Sequence, residues 1–266
     1  METKKGGTTE FRPFSSILVL LRGRNFFMAK NFKKFKTIGI LGGMGPEASA
    51  NIYREIIGLA QKEFGAAQDK DYPPIVIYSL PLVDFDETGF SNLETVKRQL
   101  IGGVKKLENA GSDFIIIACN TVYYFFDQLQ SVIHIPIIDI TKEVIRQINS
   151  DNIKKVGIIS SESTKKLKIY TAKLKAADLE YIETDDLQQK AVNEIILKVM
   201  KGINGIEEEK EIEKIILGFK NHGAQAVILA CTELPLAFRH KSFAGIKIYS
   251  TNMIMAETSL FKSLVC

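Results

Sequence analysis

Phe114-Ile115-Ile116-Ile117-Ala118-Cys119-Asn120-Thr121 is an apolar run that stops at a cysteine and continues into small polar residues. Apolar residues without polar alternation read as a strand buried on both faces, the pattern of a parallel sheet covered by helices. Ala226-Val227-Ile228-Leu229-Ala230-Cys231-Thr232-Glu233 repeats the arrangement in the second half of the chain. The carboxyl ends of strands in an open α/β sheet form the ligand crevice, so each thiol is expected where ligands bind. A thiol ahead of a helix N-terminus also feels the positive end of the helix dipole, which lowers its pKa toward the thiolate. One such cysteine reads as a small core hydrophobe as readily as a reactive group. Two matched ones, in a chain with only three cysteines, favour reactivity.

Upstream, residues 37–41 predict the first strand, and Gly42-Gly43-Met44-Gly45-Pro46 turns it into a helix running to about Lys62. Pro46 suits the first helical position, and the glycines let backbone N–H groups approach an anion. The third glycine of a dinucleotide fingerprint is missing and no Gly-Lys-Ser/Thr follows, so a small carboxylate suits the turn better than a nucleotide. Residues 74–79 predict a second strand. The loop after it carries Asp84, Asp86 and Glu87 and reads either as a metal site or as a solvated loop. Ser91-Asn92 can cap a helix with apolar Leu93, Val96, Leu100, Val104 and Leu107. Residues 122–126 read as a packed helix face, residues 135–140 as a short strand, and Thr141 as the cap of a helix to Ile148.

A polar linker at residues 149–152 precedes a restart of the pattern. Residues 155–161 match the first strand, and Ser163-Thr164 stands where a helix begins that runs to about Ala176. A short strand at Tyr181-Ile182, a helix over residues 187–201 and a helix with Ile212, Ile215, Ile216 and Phe219 lead to the Cys231 strand. Residues 246–250 close the pattern as a strand before a last helix from Thr251. The fold expected is α/β, with two similar lobes, each a parallel sheet of about four strands flanked by helices, and the active site between them. Residues 1–35 read as an N-terminal extension outside the fold, with Met28 a natural start. Residues 36–149 form the first lobe with Cys119 and residues 150–266 the second with Cys231. The helix at residues 251–263 is free to pack back on the first lobe.

Composition narrows the function classes. With 266 residues, 45% hydrophobic and 25% charged, the chain is ordinary for a soluble globular protein. Its formal charge of +4 gathers in the N-terminal arm, among them Lys4, Lys5, Arg12, Arg22 and Arg24, so a nucleic-acid partner is not implied. The apolar run at residues 14–21 is followed by Arg22-Gly23-Arg24 without a cleavage site, and is far shorter than the roughly 20 residues that span a bilayer. No membrane partner is expected. Cys119, Cys231 and Cys266 form no CxxC pair, which fits a reducing cytoplasm, and His134, His222 and His240 offer no zinc-ligand spacing. No metal is expected.

Two lobes facing each other would set two thiols on opposite sides of one crevice. Inverting a carbon that bears an acidic hydrogen needs a base on one face and an acid on the other, and a thiolate and a thiol supply both. The carbanion-like transition state needs its carboxylate held by fixed donors. Residues 38–48, Ala118-Cys119-Asn120-Thr121 and residues 230–236 together resemble the aspartate/glutamate racemase superfamily, most closely its aspartate racemase branch, over about residues 36–262. The resemblance implies a homodimeric amino-acid racemase that works without a cofactor, with Cys119 and Cys231 as the acid/base pair. It places Met44, Asn120, Thr121, Ser163, Thr164, Lys201, Thr232 and Glu233 at the substrate, and makes aspartate the expected substrate. Three departures stand out: Tyr123 where the family commonly has a histidine, Ser250 where it has an aspartate, and Asp84-Phe85-Asp86-Glu87 where some aspartate racemases carry an arginine. The last keeps a neutral or basic amino acid open as substrate. A decarboxylase or isomerase using one cysteine, and an amino-acid-binding module without turnover, are the other readings.

Overall fold

The computed structural model describes residues 35–264, with strand β1 (Ile38–Gly42) at the centre of the first lobe. Helix α1 (Pro46–Phe64) follows it, with Pro46 in its first turn and Gly65 ending it in the left-handed conformation. Strand β2 (Ile75–Ser79) pairs parallel to β1, and a small antiparallel hairpin of β3 (Phe85–Asp86) and β4 (Gly89–Phe90) follows. In α2 (Leu93–Asn109) the Asn92 side chain accepts the Thr95 N–H at 3.1 Å. Val96, Leu100, Val104 and Leu107 are its buried face, while Leu93 in the first turn is exposed. Strand β5 (Phe114–Ile117) completes the parallel order β2-β1-β5.

After β5 come a 3₁₀ turn (Thr121–Phe125), helix α3 (Phe126–Gln130) and helix α4 (Ile140–Ser150). The strand expected at residues 135–140 shrinks to a single parallel bridge between Ile115 and Ile137. Pro136 can give only its carbonyl to the sheet, and the Asp139 carboxylate starts α4 at Ile140 by accepting the N–H of Thr141 at 3.1 Å. Asp139, not Thr141, is therefore the cap.

The second lobe opens with β6 (Lys155–Ile159). The single helix expected before residue 176 is split into α5 (Glu162–Lys166) and α6 (Thr171–Ala176), with Lys168 at φ 55 between them. Strand β7 (Glu180–Glu183), α7 (Asp186–Met200), α8 (Ile206–Asn221), β8 (Ala226–Leu229), the one-turn α9 (Leu234–Ala237), β9 (Ser242–Phe243), β10 (Ile246–Ser250) and α10 (Thr251–Ser263) follow. The sheet order is β7-β6-β8-β10-β9, parallel except for β9 at the edge. The two sheets thus have three and five strands rather than about four each.

Strand alternation splits the second sheet between two cores. Val156, Ile158, Ala226 and Ile228 belong to the core that continues from the first lobe, while Ile159, Val227 and Leu229 pack with α7 and α8. Gly157 makes room for this second core, because a Cβ there would lie 2.2 Å from the Phe219 ring. Helix α10 returns to the first lobe and packs on α1 and α4. Phe35, the last residue of the expected extension, bridges Leu264, and the Lys36 N–H donates to the Ser263 carbonyl at 2.7 Å. The remainder of the expected N-terminal extension, and Cys266, lie outside the described residues. Among the described residues no helix is long and apolar enough to cross a membrane.

Candidate active site

Cys119 and Cys231 each stand two residues beyond the end of a buried strand, β5 and β8, one in each lobe. Register explains why they share a level: both strands continue parallel sheets, and the Ala118 and Ala230 N–H groups still donate to the Leu41 and Ile159 carbonyls of the neighbouring strands. Both thiols line one cavity of about 130 Å³, and they are only 6% and 9% exposed. Drug-sized pockets run from about 300 to 1,000 Å³, so this one suits a small guest. A groove of about 460 Å³ beside α10 is larger but holds neither cysteine.

The two sulfurs have different surroundings. Backbone N–H groups of Val122 and Thr121 and the Thr121 hydroxyl favour a thiolate at Cys119. Cys231 receives only the Glu233 backbone N–H, and donates its Sγ–H to Glu233 Oε2 at 3.0 Å. Burial nevertheless dominates at both. It pushes the Cys119 thiol up to about 12, with the Glu233 charge adding to the rise, and pushes Cys231 well above its ordinary value, again with Glu233 adding to it. The lowered pKa expected from helix dipoles is thus not realised. The elements after the cysteines are a five-residue 3₁₀ turn and the four-residue α9, too short to oppose desolvation.

Hydroxyls from both lobes meet beside Cys119. Thr121 Oγ1 lies 2.8 Å from Thr164 Oγ1, 3.1 Å from Ser163 Oγ and 3.3 Å from Ser161 Oγ. Thr121, Ser161 and Thr164 line the cavity; Ser163 stands behind them and donates its N–H to the Glu87 carbonyl at 3.0 Å, tying the β3–β4 hairpin to the second lobe. Asn120 also lines it, but its Oδ1 accepts the Tyr170 hydroxyl at 2.6 Å and its Nδ2 donates to Thr251 Oγ1 at 3.2 Å. One N–H of that amide is left for a guest. Met44, Thr232 and Glu233 complete the expected set at the cavity.

Lys201 does not join them. Helix α7 ends at Met200, whose side chain lines the cavity, and Lys201 is its exposed C-cap. The glycine loop differs too: the Gly43 N–H donates to Ser49 Oγ and the Gly45 N–H to Glu233 Oε1, both at 3.0 Å, so the carboxylate it receives is the protein's own. Residues that the sequence reading did not place at the site are Ser161, Leu82, Ile196 and Met200, while Phe85, Asp86 and Glu87, read there as a departure bearing on the substrate side chain, also line the cavity. The spacing of Ile196 and Met200 on one helix face was a readable signal for those two. Asp86 Oδ1 accepts the N–H and hydroxyl of Thr88 at 2.8 and 2.7 Å, which builds the hairpin turn and holds its carboxyl below the usual range. Among the described residues no group of three or more His, Cys, Asp and Glu side chains could hold a metal ion.

Two of the departures have local explanations. The buried Tyr123 donates its hydroxyl to the Ile138 carbonyl at 2.9 Å, holding the bridged segment beside β5. Ser250 caps α10 by accepting the Met253 N–H at 3.3 Å.

The sequence model of the Asp/Glu/Hydantoin racemase family matches residues 41–258. The chain belongs to that family. It is an amino-acid racemase of the family, an isomerase. The broad specificity amino-acid racemase RacX of Bacillus subtilis (strain 168) is 33% identical over 223 residues, spanning 84% of this chain and 96% of that protein. Among solved structures, an aspartate racemase homologue from Pyrococcus horikoshii OT3 superposes with a TM-score of 0.71 at 27% identity, covering 86% of this racemase and 99% of the homologue. The Picrophilus torridus aspartate racemase gives 0.72 at 26% identity, covering 86% and 94% of the two chains.

Proposed function

We propose that this racemase inverts Cα of an amino acid by a two-base mechanism in which Cys119 and Cys231 act from opposite sides. The observation that carries the reading is the pair of thiols, one from each lobe, at a single small cavity. One thiolate removes the α-hydrogen while the opposite thiol delivers its own to the other face, so configuration inverts as the proton inventory shifts from one sulfur to the other. Hydroxyls of Thr121, Ser161 and Thr164 and the remaining Asn120 N–H are the donors for the α-carboxylate, whose developing charge they stabilise. Burial makes either thiolate costly. A bound α-ammonium brings a positive charge beside both sulfurs and Glu233 and opposes that effect.

Aspartate is the substrate suggested by the aspartate racemase branch. A neutral or basic amino acid is favoured by the charges at the cavity: Asp86, Glu87 and Glu233 line it, and among the described residues no lysine, arginine or histidine does. A β-carboxylate placed there meets like charges without a partner, whereas an aliphatic or cationic side chain meets Leu82, Phe85 and the two hairpin carboxylates. The breadth in the name of the Bacillus subtilis relative agrees with this.

A panel of L-amino acids followed by chiral chromatography tests the reading. The best neutral or basic substrate is expected to exceed aspartate in kcat/KM by about tenfold or more, a modest factor because the hairpin is partly exposed. In the double variant Asp86→Asn/Glu87→Gln that gap narrows. Aspartate as the preferred substrate of the unaltered enzyme would overturn the substrate reading, and absence of inversion with every amino acid would overturn the function.

A further inference from the structure

Glu233 is a carboxylate only 4% exposed, at a cavity that no lysine, arginine or histidine lines among the described residues. Its Oε1 accepts the Gly45 N–H at 3.0 Å, and its Oε2 accepts Cys231 Sγ–H at 3.0 Å and the Thr232 hydroxyl at 3.1 Å. The Gly45 N–H and the Cys231 thiol can only donate here, and an ionised carboxylate accepts from both. Gly45 is the N-cap of the 19-residue α1, so the helix presents its positive end to the same charge. Burial works against ionisation and raises the Glu233 carboxyl, while the bonds from Cys231 and Thr232 lower it.

A thiol that donates to a carboxylate keeps its proton. If Cys231 ionised, it would lose the bond to Glu233 and face a like charge at 3.0 Å. The Glu233 backbone N–H also reaches the Cys231 sulfur, but Cys119 has two such N–H groups, those of Val122 and Thr121, together with the Thr121 hydroxyl, and bonds to no carboxylate. The other titratable groups near Cys231 do not reverse the contrast: Asp86 and Glu87 across the cavity are acidic, and Tyr170 behind it is held neutral by burial.

Resting on the two-cysteine reading above, we propose that Glu233 is a positioning residue that keeps Cys231 in its thiol form, so that the free racemase stands with Cys119 as the base and Cys231 as the acid. The resting enzyme then accepts the enantiomer whose α-hydrogen faces Cys119. In that turnover the Cα–H bond breaks and its proton goes to Cys119; the Cys231 S–H bond breaks as the new Cα–H bond forms. Resetting moves one proton from Cys119 to water and one from water to Cys231, and the Glu233 carboxylate drives the second transfer.

The test is an NMR titration of the full chain labelled at cysteine ¹³Cβ, whose shift reports thiol or thiolate at each sulfur, with signals assigned from Cys119→Ala and Cys231→Ala. In the unaltered protein Cys119 is expected to titrate at lower pH than Cys231. Glu233→Gln, which retains an acceptor for the Gly45 N–H, is expected to lower the Cys231 midpoint by about one pH unit or more, a tenfold change in its ionisation, and to move Cys119 less. Glu233→Asp keeps the charge and leaves the Cys231 midpoint above that of the glutamine variant. Cys231 ionising first in the unaltered protein, or Glu233→Gln moving both midpoints equally or neither, would overturn the assignment. If either cysteine-to-alanine variant still racemised fully, the two-cysteine reading itself would fall. If both were inactive and Cys231 ignored Glu233→Gln, only the role of Glu233 would fall.

Discussion

Cys119→Ala and Cys231→Ala are each expected to lower kcat for racemisation by about 10³-fold or more while leaving the fold intact. A positioned acid or base contributes typically about 10²–10⁴-fold, and in the proposed mechanism each sulfur serves one face of the substrate, so neither can substitute for the other. The cost to folding is small by comparison. Each cysteine lies at a strand end beside the cavity rather than inside a packed layer, and truncation to alanine removes one atom from a space already open on one side. Circular dichroism and thermal unfolding separate the two effects, and kcat near that of the unaltered enzyme in either variant would contradict the assignment. The double variant is expected to be no worse than the poorer single one, because the two groups act as a unit.

Gly43→Ala is expected to lose roughly 2–5 kcal/mol of stability together with most of the activity. Gly43 sits at φ 88, and a Cβ there would lie 2.4 Å from the Leu80 nitrogen and 2.7 Å from its carbonyl oxygen. Neither atom can give way easily, since the Leu80 N–H donates to the Gly42 carbonyl at 2.8 Å as the last bond between the β1 and β2 strands. Forced overpacking costs about 1–3 kcal/mol and a left-handed alanine about 1–2 more. The loss reaches the site because Met44, Gly45 and Pro46 line the cavity and Gly45 holds Glu233. Urea unfolding at constant m reads the stability. Gly102→Ala is the contrast: that glycine is inside α2 with nothing within 4 Å of a Cβ, and alanine there is expected to gain about 1 kcal/mol. Equal behaviour of the two variants would refute the role given to the glycine turn.

The parts legible in the sequence were those written in local pattern. Buried parallel strands announce themselves as unbroken apolar runs, so β1, β5, β6 and β8 and the two cysteines that end them were readable, as were Asn92 as a cap and Pro46 as a helix start. Competition between local signals was harder to read. Asp139 outbid Thr141 for the start of α4, and Lys168 in the left-handed region broke a helix that periodicity alone would continue. Contacts distant along the chain were not legible. No pattern within residues 43–45 tells that their amide donor meets Glu233, 188 positions away, or that Glu87 meets Ser163 across the lobes. Lys201 shows the reverse case, a position implied by family resemblance that the end of α7 leaves exposed while Met200 beside it reaches the cavity. The sign of the thiol pKa shifts was misread for a related reason, since burial is a tertiary quantity and outweighs the short turns that follow each cysteine.

The claim that two thiols serve opposite faces of one carbon is tested most directly by racemisation in deuterated water, stopped early and analysed by NMR and mass spectrometry. The account predicts that the newly formed enantiomer carries deuterium at Cα from the first turnover, because its hydrogen comes from a solvent-exchanged sulfur, while the unreacted enantiomer keeps its protium. A product retaining the hydrogen of its own substrate would mean that a single group removed and returned it, and would contradict the opposed pair of Cys119 and Cys231.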